Sequence, residues 1–120
     1  MDKRGRGNYG EAAAKGYLAA KGFKVLAEKY WADRGEIDLI AKDPGDGYLV
    51  FVEVKYRRQT GFGSPGESVT AAKRRAIILA AQQYLAENEL FEQDCRFDVI
   101  EITGRELLEI NHIKNAFWVE

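Results

Sequence analysis

Apolar and small residues recur every three to four positions in two stretches of the chain, which is the spacing of one face of a helix. The first stretch predicts a helix over residues 9–21, which Gly22 ends. The second predicts a helix that Ser68 or Thr70 caps and that runs to about residue 88. Both patterns leave one apolar stripe for packing against a sheet.

Elsewhere, β-branched and aromatic residues alternate with polar ones or form short continuous apolar runs. Strands are predicted over 23–30, 36–41, 48–56 and 94–102, with weaker ones over 107–113 and 116–119. The third strand is apolar on both faces until its charged far end, which is typical of a central strand. The glycine-rich stretch 57–69 that follows it predicts an irregular loop.

This order of elements predicts an α/β fold, in which helices flank a mixed β-sheet. The strand–helix–strand unit over 48–102 is expected to be parallel and right-handed. The 120 residues are expected to form a single domain, 1–120, with a flexible basic segment at 1–7.

Composition narrows the possible chemistry. The formal charge of −1 predicts no global positive field for nucleic acid, although a local basic face stays open. One cysteine, Cys95, and one histidine, His112, allow neither an internal disulfide nor a four-ligand zinc site. No signal peptide and no apolar run of about 20 residues is present, so we expect a cytoplasmic protein without a membrane partner.

Four charged side chains share one face of the second and third predicted strands if the turn between them has four residues. In that register Asp38 lies opposite Glu53, and Glu36 lies opposite Lys55. Two carboxylates that close repel each other unless a cation lies between them, and hard oxygen ligands favour Mg²⁺ or Mn²⁺. A neighbouring lysine completes a set suited to phosphodiester hydrolysis. The alternative is a solvated face with cross-strand ion pairs, since such short motifs also arise by chance.

Two segments carry a family resemblance. Gly35-Glu-Ile-Asp-Leu-Ile40 and Val50-Phe-Val-Glu-Val-Lys55, with Arg57 and Arg58 after them, resemble the PD-(D/E)xK nuclease motif, with Ile37 in place of its proline. Together with Gly10-Glu11, Phe62-Gly63, Lys73 and Arg96-Phe-Asp-Val99, they resemble the YraN-like family of small bacterial proteins over nearly the whole chain. That family is similar to archaeal Holliday-junction resolvases.

The resemblance implies a restriction-endonuclease-like fold and a Mg²⁺- (or Mn²⁺-) dependent DNA endonuclease, acting on branched or structured DNA in repair or recombination. It makes Asp38 and Glu53 metal ligands, Glu11 a third acid from the first helix, and Lys55 the catalytic lysine. It leaves open a homodimer, because resolving a junction ordinarily needs two active sites. The alternatives are a non-catalytic nucleic-acid-binding domain with the same fold and a protein-interaction module.

Several residues have two interpretations. Glu11 is either a metal ligand or a surface residue that pairs with Asn8 in a capping box or with Lys15. Trp31 and Trp118 either stack on bases or pack in a core or interface.

Basic residues flank the acidic strand and open the second predicted helix. Arg57, Arg58, Lys73 and Arg74 are candidates for contacts with nucleic-acid phosphates. The alternative for these residues is an ordinary solvated surface, because most charged runs are solvated.

Overall fold

The computed structural model describes the backbone of residues 3–57 and 69–119 and the side chains of 9–57 and 69–119. Its elements are α1 (Lys3–Ala20), β1 (Lys24–Trp31), β2 (Glu36–Lys42), β3 (Leu49–Arg57), α2 (Ala71–Glu87), β4 (Cys95–Thr103) and β5 (Glu109–Phe117). Neither of the two helices has the length and apolar character to cross a membrane.

The five strands form one sheet in the order β1-β2-β3-β4-β5. Only β3 and β4 are parallel neighbours, and every other neighbouring pair is antiparallel. The chain between β3 and β4 contains α2, as the predicted strand–helix–strand unit requires. The predicted α/β fold with a mixed sheet is therefore confirmed, and β3 is its central strand.

Each helix covers one face of the sheet, because successive strand residues point to opposite sides. Residues buried with α1 include Ala14, Leu18, Leu39, Val50, Val52, Ile100 and Ile102. Residues buried with α2 include Ile77, Ala80, Leu49, Phe51, Phe97 and Val99. The first five residues of β3 are thus buried on both faces, which explains its continuous apolar pattern and leaves its far end for charged residues.

The helix ends differ in part from the predictions. The first helix begins at Lys3, so Asn8 lies inside it and the capping-box interpretation of Glu11 is wrong. Lys15 does not pair with Glu11 either, because its ammonium group lies 3.1 Å from Glu28. Thr70 is the cap of α2, since its side chain accepts a hydrogen bond from the backbone N–H of the third helical residue at 3.2 Å.

The last two predicted strands are one strand, β5. Its pairing with β4 shifts between Phe97 and Val99, and Asn115 adopts a left-handed φ of 52° at this bulge. Ile113 and Phe117 are four residues apart, whereas their partners Val99 and Phe97 are two apart, so β5 carries two extra residues here and its alternation of side chains is interrupted. The pattern therefore breaks within a strand that continues, and the prediction of separate strands over 107–113 and 116–119 was wrong.

The same bulge helps to hold a buried carboxylate. Asp98 is fully buried, and its oxygens accept hydrogen bonds from Arg96 Nε at 3.1 Å and from the Asn115 backbone N–H at 3.0 Å. His112 Nε2 lies 2.7 Å away, and a second carboxylate, Asp43, lies 2.7 Å from the same arginine. Burial acts to raise the pKa of Asp98, but these hydrogen bonds outweigh it and the pKa is lowered. The cluster joins β4, β5 and the β2–β3 turn.

Asp98→Ala leaves a buried arginine without its main partner, so we expect a loss of about 3 kcal/mol in the free energy of unfolding at neutral pH. Asp46→Ala is the matched control, because Asp46 binds the same Arg96 from a position that is 44% exposed. It should cost no more than about 1 kcal/mol. Urea unfolding measures both, and equal losses would contradict this account. Because the pKa of Asp98 is lowered, its contribution is lost as the pH falls below about 4.

Candidate active site

The β2–β3 ladder ends where the acidic residues begin. Leu39 pairs with Val52 in the predicted register, and the pairing continues regularly from there to the turn at 44–47. Beyond Leu39 the backbone pairing stops, and the carboxylate of Asp38 accepts a hydrogen bond from the Val54 N–H at 2.8 Å. The predicted register is therefore confirmed up to this point, after which a side chain takes the place of the backbone partner.

A cavity of about 210 Å³ lies beside this point, between the sheet and α2. Glu36, Asp38 and Glu53 line it from the sheet, as the alternation of side chains predicted. The chain can approach the helix here because of Gly35, at which an added Cβ would lie 2.7 Å from the backbone oxygen of Ala76. A side chain at position 35 would push the start of β2 away from α2.

Glu11 joins these acids from the opposite face of the sheet. Its neighbour Gly10 packs so closely on Tyr56 that an added Cβ would lie 3.0 Å from the tyrosine Cβ. As a result, one carboxylate oxygen each from Glu11, Glu36 and Asp38 lies within 4.8 Å of the others. The side chains described, those of residues 9–57 and 69–119, include no other group of three acidic, histidine or cysteine residues this close.

Glu36 is the member of this group that sequence reasoning left without a ligand role. Its signal was present, because alternation along β2 places Glu36 on the same face as Asp38. The resemblance drew attention to Asp38 and Glu53 instead.

Glu53 lies between two lysines. Its side chain is only 4% exposed, and its Oε1 lies 2.9 Å from Lys73 Nζ and 3.5 Å from Lys55 Nζ. Lys73 was predicted to contact nucleic-acid phosphates, whereas the structure brings its ammonium group into the acidic site. The signal for this was topological, because a helix that follows a strand begins near that strand's carboxyl end, where Glu53 and Lys55 lie.

Burial and neighbouring carboxylates raise the pKa values of Asp38 and Glu11. Burial, and then the charge of Glu53, raise the pKa of Asp38 to about 8, although the Val54 hydrogen bond opposes them. Burial also raises the pKa of Glu11, and the charge of Lys29, whose Nζ lies 3.8 Å away, only partly opposes this. The folded chain thus concentrates negative charge that protons or a cation must compensate.

These residues fit a hard divalent cation. The donor atoms are all carboxylate oxygens, which Mg²⁺ and Mn²⁺ prefer, and Mg²⁺ typically uses one or two carboxylates together with water and phosphate. Glu11, Glu36 and Asp38 are the residues that would hold it, with the charge of Glu53 close by.

The other predicted phosphate contacts lie outside the acidic cavity. Arg57 ends β3 and is half-buried. Arg74 donates a hydrogen bond to the Val69 carbonyl at 3.0 Å, and its guanidinium group lies 5.8 Å from the centre of the Phe117 ring. Arg58 lies outside the described residues. Lys73 joins the acids directly.

Comparison with known proteins gives one consistent result. The profile of a family described as "Uncharacterised protein family UPF0102" matches residues 10–102. A UPF0102 protein of Clostridioides difficile (strain 630) is 46% identical over 119 residues, covering 98% of this chain and 100% of that protein. One from Chlorobium chlorochromatii (strain CaD3) is 47% identical over 121 residues, covering 95% and 92%. The matched range includes the acids and both lysines of the site.

The raised pKa of Asp38 has a consequence for stability. The unfolded chain releases this proton near pH 3.9, whereas the folded protein keeps it up to about pH 8, so stability falls as the pH rises through that window. Asp38→Asn does not titrate and keeps an acceptor for Val54. We expect its advantage over the wild type to grow by about 3 kcal/mol between about pH 5.5 and about pH 8.5.

Urea unfolding in the presence of a chelator measures this difference. Other titrating groups cancel, because both proteins share them. Added Mn²⁺ should stabilise the wild type at the higher pH and leave Asp38→Asn unchanged. If the difference in the free energy of unfolding between the two proteins does not vary with pH, the pKa of Asp38 is not raised in the folded protein.

Proposed function

The chain belongs to the UPF0102 family, and from the acid–lysine site that its fold builds we propose that it is a Mg²⁺-dependent DNA endonuclease that hydrolyses phosphodiester bonds. The family result agrees with the resemblance of the sequence to YraN-like proteins. The observation that carries the proposal is the convergence of acids from α1, β2 and β3 with lysines from β3 and α2. On an ordinary solvated strand face, charged side chains from four separate elements would not be expected to meet.

The acidic side chains provide the oxygen ligands and the negative charge that a cation needs. A bound Mg²⁺ or Mn²⁺ would supply Lewis-acid activation of the phosphate and of the attacking water. The Val54 N–H orients Asp38. The close contact of Gly10 in α1 with Tyr56 in β3 positions Glu11. Because these positions depend on the backbone, the carboxylates are preorganised.

The two lysines act on the substrate phosphate. Burial acts to lower the pKa of Lys73, but its hydrogen bond to Glu53 and the charges of Glu53 and Asp38 outweigh this and raise it. Lys73 therefore stays protonated at neutral pH and, with Lys55, can stabilise the negative charge that develops on a pentavalent phosphate. Glu53 orients both ammonium groups and adds its charge to the metal site.

DNA is proposed as the substrate on two grounds. The first is the similarity of the family to archaeal Holliday-junction resolvases, which points to branched or structured DNA in repair or recombination. The second is that Arg57 ends β3 and Arg74 follows Lys73 in α2, so the two elements that carry the lysines also carry arginines that can contact phosphates without reading the sequence. Cleavage of a junction on both strands would require two copies of this site.

Asp38→Ala and Glu53→Ala are expected to lower DNA cleavage by about 1,000-fold or more, because each removes charge that the metal and the lysines need. Lys73→Ala should lower cleavage by about 100-fold, and Lys73→Arg by less, since it keeps the cation. Nicking of supercoiled DNA and cutting of branched DNA with Mg²⁺ or Mn²⁺ measure this.

Glu109→Gln is the matched control, because Glu109 is an exposed acid on the opposite edge strand. It should cleave like the wild type. Undiminished cleavage by Asp38→Ala would overturn the proposed mechanism. Binding of DNA without cleavage by the wild type, in any divalent metal, would instead favour the non-catalytic domain.

A further inference from the structure

The hairpin beside the acidic cavity carries an exposed tryptophan. Trp31 is directly opposite Glu36 in the β1–β2 register, and 71% of its surface is exposed. Residues opposed in this way share one face of the sheet, with Cβ atoms about 5 Å apart. The indole therefore lies next to one of the proposed metal-binding carboxylates. Tryptophan is highly buried on average, so this exposure calls for a functional explanation.

The hairpin is held firmly although the indole is not. The Ala32 N–H donates to the Gly35 carbonyl at 2.8 Å, and the Asp33 N–H donates to Gln83 Oε1 of α2 at 3.1 Å. Tyr30, the residue before the tryptophan, donates its hydroxyl to Glu87 of α2 at 2.9 Å. Residues before and after Trp31 are thus tied to α2, so the backbone that carries the indole is held in place.

Positive charge lies in the hairpin and at the cavity. Arg34, in the same hairpin, is exposed, and among the described residues it forms no ion pair. Lys73 lies on the α2 side of the cavity. An exposed aromatic ring and a cation without a described ion pair, carried by the same hairpin, match the two parts of a nucleotide, since the base can stack on the indole and the phosphate can contact the guanidinium group.

We infer that Trp31 and Arg34 form a subsite for an unpaired nucleotide adjoining the phosphate that is cut. Bases inside a duplex are covered on both faces by their neighbours, whereas an unpaired base can stack on a side chain. This inference rests on the proposed function and narrows it: the preferred DNA has a single-stranded or frayed segment at the cleavage position.

Fluorescence tests the subsite directly, because the chain has only two tryptophans. In a Trp118→Phe protein, a short thymidine oligonucleotide added with Ca²⁺ should quench the emission of Trp31. In a Trp31→Phe protein, Trp118 should not respond. Quenching of Trp118 alone would move the contact to another surface and overturn the inference.

Measurements of DNA affinity and of cleavage distinguish a failure of this inference from a failure of the proposed function. Trp31→Ala should weaken binding of the oligonucleotide by about tenfold and binding of a blunt duplex by less than about twofold, while Trp31→Phe should keep most of the affinity. Circular dichroism checks that the variants are folded. If the wild type cleaves DNA and Trp31→Ala cleaves frayed DNA equally well, the subsite is wrong and the proposed function stands. If the wild type neither binds nor cleaves DNA, both are overturned.

Discussion

The repulsion among carboxylates where β2 and β3 separate is the constraint on which the site depends. Regular pairing of the two strands would engage the backbone beside Asp38 in a ladder. Instead the carboxylate itself accepts a hydrogen bond from the Val54 N–H, and the cavity lies beside this point, between the sheet and α2. Glu11 and Glu36 then approach from two other directions. Burial, and then the charges of the close acids, keep the pKa of Asp38 raised, so the local arrangement is unfavourable without protons or a cation.

Interactions in the rest of the fold contribute the free energy that offsets the repulsion in this site. β3 is buried on both faces before it reaches Glu53, and the Asp98–Arg96 cluster fixes β4, β5 and the turn at 44–47. The two polar clusters differ in how the negative charge of the buried carboxylate is balanced. Asp98 has a cation and several donors, and its pKa is lowered, whereas Asp38 faces other acids and its pKa is raised. Poor local compensation within an otherwise satisfied fold is typical of functional sites.

The sequence predicted those parts of the site that follow from counting along one hairpin. The four-residue turn sets the register, and alternation sets the shared face of Asp38 and Glu53. What it missed depends on contacts between distant elements. The reach of Lys73 follows from where α2 docks on the sheet, and the continuity of β5 follows from a bulge at Asn115 that only its partner strand reveals. The start of α1 was misplaced because capping residues such as Asn8 also occur inside helices.

Diffraction from crystals grown with Mn²⁺ would show whether these carboxylates bind a metal ion, because the anomalous signal of manganese locates the ion. We expect a peak bounded by the carboxylates of Glu11, Glu36 and Asp38 in the wild type and no peak there in Asp38→Ala. A wild-type structure without manganese at these carboxylates, obtained with short DNA present to supply a phosphate ligand, would contradict this expectation.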